Sequence, residues 1–224
     1  MSPRAEVVVF DVNETLSNME PLRARFVDVG LPGSALDAWF AGVLRDGFAL
    51  AACDDARTFR DVAAGNLRLT VQGASLGDRS VNEAVDHVLG GFADLDVHPD
   101  VPDGMRALAE SGRRLVTLTN GASAMSEAMF ARAGVLDLLE HRLSVEDAGR
   151  WKPNGQPYRY AAKVCGVEAA SMTLVAVHPW DVHGAQRAGL TGAWLRRGAS
   201  AYPDYLPPPD VAASDVRELA ALLR

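Results

Sequence analysis

The sequence of 224 residues is poor in several features that mark special classes of protein. It contains only two cysteines, Cys53 and Cys165, and no CxxC pair, which argues against a disulfide framework or a zinc knuckle. No apolar run approaches the ~20 residues that a membrane-spanning helix needs. Repeats and low-complexity segments are also missing, while 48% of the residues are hydrophobic. These absences predict an ordinary globular protein that does not cross a membrane.

Positive charge is in the minority, with 22 Lys and Arg against 29 Asp and Glu and a net charge of −7. Proteins that bind nucleic acid usually present a basic face, so we expect no nucleic-acid partner. Residues 1–6 lead directly into an apolar run, without the regions of a signal peptide, and we therefore expect a cytoplasmic location. The sequence is compatible with a homodimer and with a monomer.

Lysine is the rarest charged residue, because 20 of the 22 basic residues are arginine and only Lys152 and Lys163 remain. A codon bias toward arginine explains the ratio. Lysine is a compact point charge on a flexible stem, whereas arginine carries a wide planar fork. A lysine that is retained despite such a bias is therefore found more often than an average basic residue at a position where arginine does not fit.

The spacing of apolar residues divides the chain into two regions. A β-branched run at 6–10 predicts a buried strand. Between 17 and 95 the apolar residues recur at helical spacing, with breakers between helices predicted at 21–29, 36–51, 58–69 and 81–92. Beyond 96 the pattern alternates, with strands predicted at 114–118, 142–145, 172–177 and 192–195, and helices at 101–110, 124–133, 157–165, 182–188 and 215–223. Residues 203–209, which include three consecutive prolines, predict a stiff loop.

This alternation predicts an α/β fold, a doubly wound parallel sheet with helices on both faces. We assign residues 1–16 and 96–224 to this core domain and 17–95 to an inserted all-helical cap domain. Ligands of such sheets bind beyond the carboxyl ends of the strands, where Asp11, Asn120, Lys152 and Asp181 are expected to converge. We expect the Lys152 ammonium within about 4 Å of a carboxylate.

Asp11 is the second residue of the first motif, at 10–16, which reads FDVNETL. A carboxylate just past a buried strand suits covalent catalysis, since the following turn leaves backbone N–H groups near it. Thr15 follows four residues later. An aspartate that only caps a turn is the alternative interpretation.

Polar residues follow two further elements. Thr119 and Asn120 come after a strand and before a glycine, where a hydroxyl and an amide can donate hydrogen bonds to an anion. An ordinary helix cap is the alternative. Lys152 precedes a proline in a loop that can direct its ammonium into the crevice, and a solvated loop lysine is the alternative.

The fourth motif, at 175–184, reads VAVHPWDVHG and contains His178 and Asp181. His178 and His183 lack the i, i+4 spacing of a helical zinc site. A buried or capping histidine is the alternative interpretation of His178.

Together the order and spacing of the four motifs resemble the haloacid dehalogenase-like hydrolase superfamily. The helical insert directly after the first motif resembles the cap of its type II L-2-haloacid dehalogenases. Tyr158, six residues after Lys152, and Trp180, beside Asp181, are similar to that branch in particular. The resemblance covers essentially the whole chain and implies a Rossmannoid core, a helical cap and a small anionic substrate.

The resemblance also implies roles for individual residues. Asp11 is the implied nucleophile, Thr15 and Lys152 hold its oxygens, and water hydrolyses the ester that Asp11 forms. Asp181 matches the acidic residue that orients the lysine and the hydrolytic water. The implied substrate-binding set is Asn13, Phe40, Thr119, Asn120, Tyr158, His178 and Trp180.

Two positions differ from the phosphatases of the superfamily. Asn13 stands where those enzymes carry the aspartate that protonates the leaving group, and an amide cannot donate a proton in that way. His178 stands where they carry an acidic ligand of Mg²⁺. We therefore expect no metal and no cofactor, with Mg²⁺ only under the phosphatase alternative.

Other positions differ from the dehalogenases. Phe40 aligns with the cap arginine that receives the departing halide, and Ala176 and His178 replace a serine and an asparagine. Candidates for the missing cation are Arg23, Arg25 and Arg45. Three functions stay open: hydrolysis of a small 2-haloacid through an aspartyl ester, which we favour, hydrolysis of a small phosphate ester, and non-catalytic anion binding.

Overall fold

The computed structural model describes residues 6–198 and 201–223, apart from the side chain of Met125. Its strands are β1 (Val7–Phe10), β2 (Arg114–Thr119), β3 (Leu139–Ser144), β4 (Met172–Ala176), β5 (Thr191–Leu195) and β6 (Val211–Ala213). Its α-helices are α1 (Leu22–Asp28), α2 (Ala35–Ala52), α3 (Phe59–Thr70), α4 (Val81–Gly90), α5 (Val101–Glu110), α6 (Ser123–Arg132), α7 (Val145–Ala148), α8 (Gly155–Cys165), α9 (Pro179–Arg187) and α10 (Val216–Leu222).

The six strands form one sheet in the order β3-β2-β1-β4-β5-β6, and all neighbouring strands are parallel. The last residue of β1, Phe10, pairs with Thr117 of β2 on one side and Val175 of β4 on the other. The chain leaves β1 toward β2 and β3 and later crosses to β4, so the order reverses at β1. Such a reversal opens a crevice at the carboxyl ends of the strands. The predicted α/β fold class is confirmed.

Both faces of the sheet are covered by apolar side chains. Along β1, Val8 and Phe10 pack into one hydrophobic cluster, while Val7 and Val9 pack into another. This alternation follows from the two-residue period of a strand. Because both faces are buried, the strand reads as an unbroken apolar run in the sequence.

Helices α1 to α4 follow the first motif and form a helical segment, which we call the insert (22–94). No strand occurs within 20–90, a stretch that the structure describes completely. Trp39, Phe26 and Phe92 pack together in the insert, and they belong to the same apolar cluster as Val8 and Phe10. The boundaries of a cap domain at 17–95 stay a prediction.

Most predicted elements differ from the observed ones by one or two residues, two differ by three, and one strand was not predicted. The strand predicted at 142–145 is β3, which ends at Ser144 because that hydroxyl accepts a hydrogen bond from the Glu146 N–H and begins α7. Helix α9 begins at Pro179 rather than at 182. The edge strand β6 was not predicted, since three residues are too few to show a periodic pattern. No helix in the described part of the chain is long and apolar enough to span a bilayer.

Candidate active site

Asp11 lies directly after β1 and continues its pairing, because its N–H donates to the Val175 carbonyl at 3.0 Å. The Thr15 hydroxyl donates to Asp11 Oδ2 at 2.6 Å. The same hydroxyl oxygen accepts from the Val177 N–H at 3.1 Å, which orients its proton toward Asp11. The first motif therefore folds back on its own aspartate and is tied to the end of β4.

Lys152 is fully buried, and its ammonium has three acceptors. It donates to Asp11 Oδ1 at 2.8 Å, to Asp181 Oδ2 at 2.6 Å and to the Leu118 carbonyl at 2.8 Å. An ammonium has three protons, so this set uses all of them. The predicted proximity of Lys152 to a carboxylate is confirmed, and the lysine links the ends of β1, β2 and β4.

Asp181 is also sealed from solvent, with an exposed fraction of 0%. Its Oδ2 binds the Lys152 ammonium, and its Oδ1 accepts a hydrogen bond of 2.5 Å from the Tyr158 hydroxyl. Tyr158 is itself buried in α8. In this arrangement both oxygens of Asp181 are occupied by protein groups.

The two carboxylates share one ammonium, and their pKa values move apart. Burial alone would raise the pKa of Asp11. The positive charge of Lys152, the charge of His178 and the hydrogen bonds from Lys152 and Thr15 outweigh burial and lower this pKa below its usual range. For Asp181, burial and the nearby charge of Asp11 raise the pKa more than Lys152 lowers it. Burial lowers the pKa of Lys152, yet the two carboxylates raise it above normal. Asp11 is thus held as the ionised carboxylate that a nucleophile requires.

Asn120 lies beside the lysine loop rather than free in the crevice. Its Oδ1 accepts from the Lys152 backbone N–H at 2.9 Å, and its Nδ2 donates to the Lys152 carbonyl at 3.4 Å. The side-chain amide therefore holds the loop that carries Lys152. The hydroxyl of Thr119 accepts from the Gly121 N–H at 3.0 Å and keeps its own proton to donate.

A cavity of about 30 Å³, which we call the inner cavity, opens beside the first motif between the sheet and the insert. Its polar lining includes Asn13, Thr119 and Ser126. Its other walls are mostly apolar and come from Val12, Ser17, Phe59, Phe92, Leu95, Gly121, Ala122 and Met129. The lining contains no cationic side chain among the residues described.

A second cavity of about 310 Å³, the outer cavity, is lined by other residues of the first and fourth motifs. Glu14 and His178 face each other there, with His178 Nε2 at 3.5 Å from Glu14 Oε2. The His178 ring stacks on Trp180 at 5.0 Å between centroids, and Phe40 of the insert lies 6.3 Å from it. Phe40, His178 and Trp180 therefore form one aromatic group outside the lining of the inner cavity.

The insert arginines proposed from the sequence as the missing cation are engaged elsewhere. Arg23 pairs with Glu20 and Asp37 and lines the outer cavity. Arg25 pairs with Asp94, and Arg45 pairs with its neighbour Asp46. None of the three lines the inner cavity. Over residues 6–198 and 201–223 no group of three or more His, Cys, Asp or Glu side chains is arranged to hold a metal ion.

Several groups at the site were not predicted from the sequence. The Leu118 carbonyl, which binds Lys152, is a backbone atom and has no signature in the side-chain pattern. Phe59 and Phe92 have the helical spacing of ordinary core residues, so the sequence pattern does not indicate that they line the cavity. Glu14 stands within the first motif, but no pattern in the sequence marks it as the partner of His178.

Comparisons with known proteins identify the family of the chain. A family model described as haloacid dehalogenase-like hydrolase matches residues 5–189. The (S)-2-haloacid dehalogenase of Pseudomonas sp. (strain YL) is 28% identical over 123 residues, which cover 55% of this chain and 53% of that protein. Haloacetate dehalogenase H-2 of Moraxella sp. (strain B) is 32% identical over 116 residues, 52% of each chain. The chain thus matches about half the length of these curated relatives.

A solved structure extends the similarity to the whole chain. The crystal structure of the L-2-haloacid dehalogenase RSc1362 is 28% identical and superposes with a TM-score of 0.89, covering 100% of this chain and 99% of that chain. The overall arrangement of sheet and insert is therefore shared with that structure.

Proposed function

The chain belongs to the haloacid dehalogenase-like hydrolase family, and on this premise we propose that it hydrolyses a small 2-haloacid with Asp11 as the nucleophile. The observation that carries this proposal is the buried contact of Lys152 with both Asp11 and Asp181. The ammonium occupies the space between the carboxylates, where a cation would otherwise be needed, and keeps Asp11 ionised.

In the first step one oxygen of Asp11 attacks the carbon that carries the halogen. The halide leaves with the electrons of the broken bond, and an ester forms between Asp11 and the substrate. Thr15 and Lys152 hold the carboxylate in one orientation, which reduces the entropy lost on reaching the reactive geometry.

In the second step water adds to the carboxyl carbon of the Asp11 ester. Negative charge that develops on the carboxyl group lies beside the Lys152 ammonium, 2.8 Å from Oδ1, in a site sealed from solvent. Such preorganised charge is worth several kcal/mol, about 3–4 for one donor. The bond between the Asp11 carboxyl carbon and the substrate oxygen then breaks. One water proton ends on the hydroxyl of the released hydroxy acid, and the other is lost to solvent as the Asp11 carboxylate is restored.

The inner cavity supports a short substrate. A volume of about 30 Å³ exceeds the ~10–15 Å³ that one water needs, but leaves room for only a small ligand. Thr119 and Asn13 supply donors for a carboxylate, and Phe59 and Phe92 of the insert supply an apolar wall. We propose that the acid carries no more than a short alkyl tail, and that no metal takes part.

A single turnover in H₂¹⁸O tests the nucleophile, with excess enzyme and (S)-2-chloropropionate. Because Asp11 donates its own oxygen to the product, the label should enter Asp11 and be found in the peptide that contains it by mass spectrometry. Asp11→Asn should reduce chloride release to background, while Asp137→Asn, a change at an exposed surface carboxylate, should not alter it.

Two results would contradict the proposal. Label that appears first in the product would mean that water attacks the substrate directly and that Asp11 acts as a base. Absence of chloride release together with Mg²⁺-dependent hydrolysis of p-nitrophenyl phosphate would establish a phosphatase instead.

A further inference from the structure

Three consecutive backbone carbonyls of the first motif, at residues 14–16, are bound by groups from outside the motif. The Glu14 carbonyl lies 3.1 Å from His98 Nε2, and the Leu16 carbonyl accepts from the His98 N–H at 2.9 Å. Between them, the Thr15 carbonyl accepts from Arg197 Nε at 2.8 Å. These residues form a turn, so their carbonyls depend on donors from elsewhere in the chain.

The turn also has a backbone conformation that needs support. Glu14 has a φ of 62°, in the left-handed region that non-glycine residues seldom adopt. Such a conformation persists only where the surrounding structure holds it. The groups that bind the carbonyls on either side are therefore placed to determine where Thr15 lies.

Arg197 lies two residues after the end of β5, at the edge of the sheet where the candidate site lies. While its Nε donates to Thr15, its two terminal nitrogens donate to the two carboxylate oxygens of Asp100, at 2.9 and 3.2 Å. Asp100 Oδ2 also accepts from the N–H of Val216, the first residue of α10, at 2.8 Å. One guanidinium therefore ties the first motif to the starts of α5 and α10.

The pair of Arg197 and Asp100 is largely enclosed, since only 14% and 8% of the two side chains are exposed. A guanidinium that binds a carboxylate through both terminal nitrogens has a defined plane and direction. Its Nε then presents one fixed donor to the Thr15 carbonyl. The main chain at Thr15 is thereby held against a rigid group.

Thr15 connects this support to the nucleophile. Its hydroxyl donates to Asp11 Oδ2 at 2.6 Å, whereas Lys152 binds the other oxygen, Oδ1. Neither Arg197 nor Thr15 lines the inner cavity, so neither is placed to bind the substrate there. Changes at these two residues should therefore act on the rate of the chemical step and not on substrate binding.

We propose that Arg197 is a positioning residue for ester formation, which holds Thr15 so that its hydroxyl fixes Asp11 for attack. This inference rests on the proposed function. If Thr15 shifts, Asp11 keeps the Lys152 contact on Oδ1 but loses the one that orients Oδ2. A displacement of about 1 Å caused by a change far from the reacting atoms can slow a reaction by about 100-fold.

Single turnovers with enzyme in excess over (S)-2-chloropropionate measure ester formation as chloride release. Arg197→Lys keeps a positive charge beside Asp100, but one ammonium cannot reproduce the fork that binds Asp100 and the Thr15 carbonyl together. Chloride release should slow by about 10- to 100-fold. The enzyme concentration that gives half the maximal rate should not change.

A double-mutant cycle shows whether Arg197 acts through Thr15. Thr15→Val removes the hydroxyl with little change in shape and should slow chloride release by itself. In that background Arg197→Lys should slow it further by no more than about twofold, because the contact it disturbs is already gone. If the two changes instead multiply their separate effects, Arg197 acts independently of Thr15 and the proposal is wrong.

The pH dependence gives a second measurement that a loss of stability alone does not move. Burial raises the pKa of Asp11, but the charges of Lys152 and His178 and the hydrogen bonds from Lys152 and Thr15 outweigh it. A weaker contact from Thr15 raises this pKa. Because only the ionised carboxylate attacks, Arg197→Lys should lose chloride release at a higher pH than the wild type does on acidification. The charged or titratable groups around Asp11 and Arg197 that stay unchanged are Glu14, His98, Asp100, Lys152, His178 and Asp181.

Arg114→Lys is the matched control. Arg114 also donates to both oxygens of a carboxylate, that of Glu140, at 2.7 Å, and to a backbone carbonyl, that of Cys165, at 2.8 Å. It lies at the start of β2, at the opposite end of that strand from Thr119. Its exchange should leave both the rate of chloride release and its pH dependence unchanged.

A second variant covers a failure of Arg197→Lys to fold, which circular dichroism would reveal. Arg197→Gln combined with Asp100→Asn removes both charges of the enclosed pair and leaves neither unpaired, and it should lose the same rate. A wild-type rate and pH dependence in the folded variant would show that Arg197 does not position the nucleophile, while leaving Asp11 in that role. Absence of chloride release in the wild-type enzyme would overturn the proposed function, and the role of Arg197 with it.

Discussion

The sheet region buries several charged side chains, whereas the insert buries none. The sheet region encloses Asp11, Asp100, Lys152 and Asp181, each with at least one oppositely charged partner within hydrogen-bond distance. The insert, between 22 and 94, has no polar or charged residue among its buried side chains, all of which the structure describes. Its ion pairs, such as Arg25 with Asp94 and Arg60 with Asp86, lie at the surface.

This difference has a physical cause and a functional consequence. A buried charge is tolerated only where partners converge on it, and the carboxyl ends of β1, β2 and β4 bring such partners together. Helices packed through apolar stripes offer no comparable convergence. The sheet therefore gathers charged side chains at one edge, while the insert contributes apolar side chains such as Phe59 and Phe92 to the wall of the inner cavity.

The largest effect is expected from changing the buried charge itself. Lys152→Arg keeps the positive charge but replaces a compact ammonium, bound at 2.6–2.8 Å to three acceptors, with a planar group that does not fit the same space. Chloride release per enzyme should fall about 100-fold or more. Lys163→Arg, at the exposed end of α8, is the matched control and should retain activity. Full activity of Lys152→Arg would mean that the site needs only charge and not shape.

A smaller effect is expected where the insert contacts the sheet region. Gly47 of α2 lies against the ring of Trp151, and a Cβ at this position would overlap Trp151 Cε3. Gly47→Ala should therefore reduce the free energy of unfolding by about 1–3 kcal/mol, as overpacking does. Because Trp151 precedes Lys152, activity should fall as well. Urea unfolding and chloride release measure the two effects.

The control for this change is Gly65→Ala in α3. A Cβ there meets nothing within 4 Å, so alanine should stabilise the helix by up to about 1 kcal/mol. If both variants had equal stability, the insert would not be closely packed on the loop that carries Lys152.

The smallest effect is expected from removing metal ions. The Lys152 ammonium lies between Asp11 and Asp181, where it serves as the counter-charge. Dialysis against EDTA should therefore leave the rate of chloride release unchanged. A loss of activity that Mg²⁺ restores would show that the sheet region uses a second cation and would revive the phosphatase alternative.

Much of the fold could be predicted because local patterns reflect it directly. The apolar run of β1 and the helical spacing in α2 and α3 depend on neighbours in sequence, and the predicted bounds differ from the observed ones by one residue. The contact between Lys152 and a carboxylate was also predicted, since the ends of parallel strands meet at one edge. The predicted bounds of β3 and α9 were less accurate. Ser144 caps α7 and so ends β3, and Pro179 begins α9, and neither effect is visible in the periodic pattern.

The partners of individual polar groups could not be predicted in the same way. Asn120 binds the backbone of Lys152, 32 residues away, and the carboxylate of Glu14 faces His178. The sequence suggested Arg23, Arg25 and Arg45 as cations for the site, but acidic neighbours hold each of them. Such choices depend on side-chain directions that are set only when the elements pack.

A parallel sheet with a helical insert, and an aspartate and a lysine at the edge where strands end, could be derived from the order of residues. These features follow from periodicity and from the rarity of lysine, which are properties of the chain alone. Packing of the elements, in contrast, buries Asp181 against Lys152 and Tyr158 and places Glu14 and His178 at a cavity separate from the one beside Asn13. The reason is that the burial of a side chain and its hydrogen-bond partners are set only when the elements pack. Burial and hydrogen bonding in turn determine which polar atoms can still bind a ligand.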